Sequence, residues 1–133
     1  MTMKAVIILC SVVLMTACDR SPTGATVPIN SEFVLAPGQR AVIDGADISI
    51  QFEGVEGDSR CPADAFCIQG GDARVRVEVR SARGHREYEL HTGDMQPVRH
   101  DDVTIHLVQL APYPFSSRTI APEEYRATLR VTR

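Results

Sequence analysis

Lysine occurs only once in this chain, at Lys4; thirteen of its fourteen basic residues are arginine, set against seventeen Asp and Glu. The arginines are interleaved with acids along the whole length, which excludes the gathered basic surface that nucleic acid requires. No second apolar run follows the one at residues 5–17, so nothing downstream is a candidate membrane helix. Also missing are a GxSxG elbow, an HExxH helix, a glycine-rich phosphate loop and a Cys-x-x-Cys pair. His85, His91, His100 and His106 are spread over turns and strands with no ligand spacing between them. Asp101 and Asp102 are adjacent, which on a strand points their carboxylates apart and reads as a turn instead. These absences argue against an enzyme, and neither a cofactor nor a resident metal is expected.

The N-terminus reads as an address. One positive charge at Lys4 precedes an uncharged segment from Ala5 to Ala17, interrupted only by Ser11 and Thr16. As a helix it would reach roughly 20 Å, short of the ~30 Å hydrocarbon core, so residues 1–17 read as a secretory signal peptide. Leu14-Met15-Thr16-Ala17-Cys18 resembles a lipobox, with Met15 where Leu is usual. The resemblance implies that Cys18 receives lipid and becomes the first residue of the mature protein. Cys10 leaves with the leader. The alternative is an ordinary leader cut near Ala17, with Cys18 left as a thiol. A lipoprotein carrying palmitate-type chains would sit on a bacterial membrane facing the periplasm, since several acyl chains at ~0.8 kcal/mol per buried CH₂ hold where one does not. Asp19 resembles the inner-membrane retention signal of enteric bacteria, a rule that differs between bacterial groups, so inner and outer membrane both stay open.

After cleavage 116 residues remain, enough for one domain, with a formal charge of 13 − 17 = −4. Residues 18–31 are rich in Ser, Thr, Pro and Gly and predict a flexible tether behind the lipidated cysteine. From residue 32 onward the apolar period is two and no window supports a long amphipathic helix. Ile48, Ile50 and Phe52 share one face; Ala73, Val75, Val77 and Val79 alternate with Arg74, Arg76, Glu78 and Arg80. Tyr88 and Leu90, then Tyr125, Ala127, Leu129 and Val131, repeat the pattern. With further strands at 32–35, 40–44 and 103–110, the expectation for 32–133 is all-β. It is a single antiparallel β-sandwich or small barrel-like domain of about seven strands. A hairpin around residues 81–85 should bring Arg76 and Arg80 close to Glu87 and Glu89.

The densest stretch is residues 56–72, Glu-Gly-Asp-Ser-Arg-Cys-Pro-Ala-Asp-Ala-Phe-Cys-Ile-Gln-Gly-Gly-Asp. Cys61 and Cys67, an even pair in an exported domain, predict a disulfide bond closing a small ring. Asp58-Ser59-Arg60-Cys61-Pro62, then Cys67, then Gly71-Asp72-Ala73 entering a strand, resembles the signature of a family of small, uncharacterised bacterial lipoproteins. That likeness covers most of the mature chain; where such proteins often carry Trp two residues after the second cysteine, this one has Gln69. The resemblance implies fold and location only. From the residues themselves, Asp58, Arg60 and Asp72 are expected to form a polar clasp bracing the loop, because Arg can offer a five-donor fork to carboxylates or backbone carbonyls. On a second reading the loop is a recognition surface for an envelope protein or peptidoglycan, with Phe66 as its exposed anchor. A third gathers Glu56, Asp58, Asp64 and Asp72 around Ca²⁺, with Arg60 opposing the cation. The function expected is a lipid-anchored, non-catalytic binding or accessory module of the cell envelope. The alternatives are a periplasmic Ca, Cu or Zn binder and an inhibitor of an envelope hydrolase.

Overall fold

The computed structural model describes residues 24–133; the leader and Cys18 lie outside the described residues. Nine strands form two sheets that face each other and do not close into a barrel. In chain order they are β1 (Ala25–Pro28), β2 (Glu32–Leu35), β3 (Arg40–Asp44), β4 (Ile48–Asp58), β5 (Ala73–Ser81), β6 (Gly84–His91), β7 (Val98–His100), β8 (Val103–Ala111) and β9 (Arg126–Thr132). One sheet runs β1-β3-β4-β5-β6 and the other β2-β9-β8-β7. Pairing is antiparallel throughout except at the edge, where β1 lies parallel to β3 with Ala25 opposite Ala41.

Two strands lie beyond the seven expected. β7 has three residues, too short to show a period. β1 falls inside the stretch read as tether through residue 31, and this is a correction. Ala25–Pro28 pairs with β3, Ile29 N–H donates to the Asp44 carbonyl, and Asn30 N–H donates to the Val131 carbonyl at 2.7 Å. Its composition misled because an edge strand tolerates Pro and buries little, and only Val27 and Ile29 pack against the core. The folded domain therefore begins by residue 24, and the segment separating it from Cys18 is much shorter than composition suggested.

The period-two faces meet between the sheets as expected. Val75, Val77 and Val79 from β5, Ile50 and Phe52 from β4, Leu90 from β6, Ile105 from β8 and Leu129 from β9 are all completely buried. Each such side chain contributes roughly 1.5–3 kcal/mol relative to exposure, which is what holds two sheets with no α-helix among the described residues. In the β5–β6 hairpin Arg76 reaches Glu87 at 2.8 Å, as the alternation implies. Arg80 instead pairs with Glu78 on its own strand, and Glu89 lies 3.2 Å from His91.

Strand direction gives the sandwich two distinct ends. β4, β6 and β8 run toward one end, where residues 59–72, 92–97 and 112–125 make the connections. β3, β5 and β7 run the other way, to tight turns at residues 45–47, 82–83 and 101–102. These are called the loop end and the turn end below.

Candidate functional site

The loop end is built around Arg60. β4 carries two irregularities, between Phe52 and Gly54 and between Val55 and Asp58, and Gly57 adopts φ +78°. Such bulges add twist and bend the strand, here just before it leaves the sheet. Beyond the bend, Arg60 folds back between the sheets and is buried. Its Nε donates to Asp58 Oδ1 at 2.8 Å and its Nη2 to Asp58 Oδ2 at 2.6 Å, a bidentate fork. Nη1 donates to the Leu110 carbonyl at 2.8 Å and Nη2 also to the Pro112 carbonyl at 2.9 Å. One side chain thus ties β4 of the first sheet to β8 of the second. The Tyr125 hydroxyl donates to Asp58 Oδ2 at 3.0 Å, and the Arg60 guanidinium lies 5.6 Å from the centre of the Tyr113 ring.

The electrostatics follow from this enclosure. Burial pushes the Asp58 carboxyl up, but the bonds from Arg60 and Tyr125 outweigh it and hold the group below its usual range. Burial and the Asp58 carboxylate together push the Tyr125 hydroxyl up to about 12. Asp58 is therefore an ionised acceptor whose oxygens are already engaged. That is the profile of a structural brace, not of a base waiting for substrate.

The three-residue clasp forms only in part. Asp58 and Arg60 join, but Asp72 lies outside their fork. Its Oδ2 is 2.6 Å from His91 Nδ1, while its Oδ1 accepts from the Gly93 N–H at 2.8 Å. Burial raises the Asp72 pKa, and the His91 and Gly93 bonds more than reverse that; the same Asp72 bond pushes His91 up from its ordinary 6.5. The chain around Asp72 closes the loop instead: Ser59 N–H donates to the Asp72 carbonyl at 2.7 Å, and Asp72 N–H donates to Ser59 Oγ. Gly71 is required here, because a Cβ would stand 1.5 Å from the Ser59 carbonyl oxygen. Its role is a close approach of backbones.

Cys61 and Cys67 are at bonding distance with Cα atoms 6.0 Å apart, closing the ring at the tip of the loop. The ring is tied to the 112–125 connection: Ala63 N–H donates to the Pro114 carbonyl at 2.9 Å, and Asp64 accepts from both the N–H and the hydroxyl of Ser116. Phe66 and Ile68 stand fully clear of the surface, at 108% and 104% of their reference exposure. Met95, Tyr113 and Phe115 are exposed on the neighbouring connections. Beside them a hollow of about 340 Å³ is lined by Cys61, Met95, Val108, Leu110 and Tyr113 over the Arg60 guanidinium.

The four carboxylates of the calcium reading are not brought together. Asp58 is engaged by Arg60, Asp64 by Ser116 and Asp72 by His91, while Glu56 faces Arg76 at 3.8 Å. Among the described residues no group of three or more His, Cys, Asp and Glu is arranged to hold a metal ion. The histidines are also apart: His91 meets Asp72, His100 Nδ1 lies 3.0 Å from the Tyr88 hydroxyl, and His106 Nε2 lies 3.0 Å from Thr132 Oγ1.

The sequence reading placed Asp58, Arg60, Phe66 and Asp72 in the loop, with Asp72 assigned to the wrong partner, and missed Ile68, Tyr125, His91 and Ser116. Ile68 was detectable as an apolar residue beside Cys67 in a polar loop. Tyr125 was detectable from the inward parity of the last strand, although nothing local tells where its hydroxyl ends. His91 and Ser116 carry no local signal, since they meet their partners across 19 and 52 residues. Comparison of the chain with protein-family models, curated proteins and solved structures finds no match, so the site is read from its own geometry.

Proposed function

We propose that this protein is a lipid-anchored, non-catalytic accessory module of the bacterial cell envelope. It is held through Cys18 facing the periplasm and presents the loop end as its contact surface. Kinship with small lipoproteins sharing the Cys61–Cys67 loop belongs to the same proposal. The observation that carries it is the exposure of Phe66 on a covalently closed ring and of Ile68 directly beside it. Of seven large apolar side chains exposed among the described residues, five (Phe66, Ile68, Met95, Tyr113 and Phe115) belong to this end. Scattered surface apolar residues need no explanation, but a concentration on one rigid region marks a contact surface. The ring and its ties also reduce the ordering cost of binding, because little freedom is left to lose.

Two measurements test the proposal in cells expressing the chain with its own leader. A clickable palmitate analogue should label the wild type and not Cys18→Ser. Equal absence of label in both would remove the anchor. A photo-crosslinking residue at position 68 should capture envelope components more efficiently than one at position 83 on the turn end. Stronger capture at position 83 would refute the contact surface.

A further inference from the structure

Strand direction and chain length bring the loop end within reach of the membrane, given the anchor at Cys18 on which this inference rests. β1 runs parallel to β3 and hence antiparallel to β4, so the chain enters β1 from the loop-end side. Ala25 is level with Ala41, Ile50 and Val79 across the sheet, and Asp58 at the base of the loop is level with Ala73. From Val79 to Ala73 is six rises of ~3.3 Å, placing the loop base roughly 20 Å beyond the start of β1. From Cys18 to Ala25 is seven residue steps, which span at most about 25 Å however the chain runs. The anchor therefore lies no farther out along the sandwich than about the level of the loop. A lipid surface holding Cys18 cannot stand well clear of the ring when the domain is upright.

The ring offers that surface what it takes up. Phe66 on the closed ring and Ile68 directly after it are apolar and fully exposed, and the base of the loop is braced by Arg60. Tyr113 and Phe115 add aromatic rings beside them, and such side chains settle at the boundary between headgroups and acyl chains. The charged groups nearest the ring have partners within the protein: Arg60 with Asp58, Asp72 with His91, Asp64 with Ser116, while Asp94 and Glu123 on the neighbouring connections are exposed. The opposite end, with Arg83 bound to Asp101 and Arg133 to Asp102, is suited to water. We infer that the Cys61–Cys67 ring dips Phe66 and Ile68 into the interface of the bilayer that holds the lipid anchor, fixing the domain upright with its turn end outward. The fitting surface is zwitterionic, because the mature chain carries a formal charge of −4 and Asp64 lies in the ring itself.

The chain contains no tryptophan, so Phe66→Trp introduces a single fluorescent probe at the tip of the ring. The lipidated full-length protein bearing it is reconstituted into phosphatidylcholine–phosphatidylethanolamine vesicles, and Arg83→Trp serves as the turn-end counterpart. Flotation reports the anchor separately from the ring. The expected result is that both variants float, and that the probe at position 66 shifts to the blue and is quenched by lipids brominated on their acyl chains. The probe at position 83 should stay open to iodide. Flotation with a water-exposed probe at position 66 overturns the membrane contact and leaves the anchor standing. Shielding of position 66 only when envelope proteins are added also overturns it, in favour of a protein partner. Failure to float overturns the anchor and this inference with it. Ile68→Trp repeats the measurement on the other side of Cys67 and must agree.

Discussion

At each end of the sandwich an arginine meets an aspartate, and the two pairs have little else in common. At the loop end Arg60 retains 7% of its side-chain exposure and Asp58 12%, and the arginine also reaches two carbonyls of the opposite sheet. At the turn end Arg83 keeps 82% exposure and touches Asp101 at one point, 3.2 Å away. The same charges are a brace where water is excluded and a loose surface contact where it is not, because screening and side-chain entropy cancel most of an exposed pair. The difference matches the needs of the two ends. Tight turns close the hairpins at one end, while three long connections, rich in exposed apolar side chains, must be held in place at the other.

The largest difference between the two ends is expected when each arginine is removed. Arg60→Ala leaves the Asp58 carboxylate buried and two carbonyls without donors, and should cost about 3 kcal/mol. That corresponds to a fall of roughly 12 °C in Tm for a domain of this size. Arg83→Ala should stay within about 0.5 kcal/mol of wild type. Thermal unfolding of the two variants side by side decides the matter. Similar small shifts would show that Arg60 is no brace.

Much of this was legible beforehand, and the division has a physical cause. Alternation gave Val75, Val77, Val79, Ile50, Phe52 and Leu129 their inward faces, since period two is a local property of a strand with one buried side. The ring and the Asp58–Arg60 pair were likewise local, two to six residues apart. What connects sheets was not legible. No pattern near Arg60 says that its remaining donors meet the Leu110 and Pro112 carbonyls, 50 and 52 residues away. Asp72 shows the same limit: its neighbours in sequence suggested Arg60, and the hairpin partner His91 took it. β1 was hidden for a different reason, because an edge strand with one proline and little burial has the composition of a tether.

A milder break concerns the ring alone. Replacing Cys61 and Cys67 together by Ser frees a seven-residue ring, for which chain entropy predicts a loss of about 2 kcal/mol. The Arg60 brace sits outside the ring and should survive. The variant should therefore unfold in one transition, yet be cleaved beside Phe66 by chymotrypsin under conditions where the wild type resists. An uncut loop would mean that the ties from Ala63 and Asp64 suffice without the disulfide.

The smallest effect separates the two charged layers of the loop end by pH. His91 has its pKa raised, chiefly by the Asp72 bond, so its contribution is complete below its ordinary 6.5 and is lost as pH rises through the higher folded value. Asp72 has its pKa lowered despite burial, so its contribution is present above 3.8 and is lost as pH falls through the lower folded value. The pair is thus fully charged and stabilising between those ordinary values, with Glu89 and Asp94 adding to the negative surroundings of the imidazole. Both side chains remain more than a third exposed, which keeps the effect small. Asp58 also loses stabilisation in acid, but equally in any variant that leaves it intact, so the informative quantity is a difference. The Tm of wild type minus that of His91→Gln should be largest near pH 5 to 6 and shrink toward about pH 9. A difference that stays flat over that range would place Asp72 with the backbone of Ser59 and Gly93 alone, and leave Arg60 as the one charged brace of the loop end.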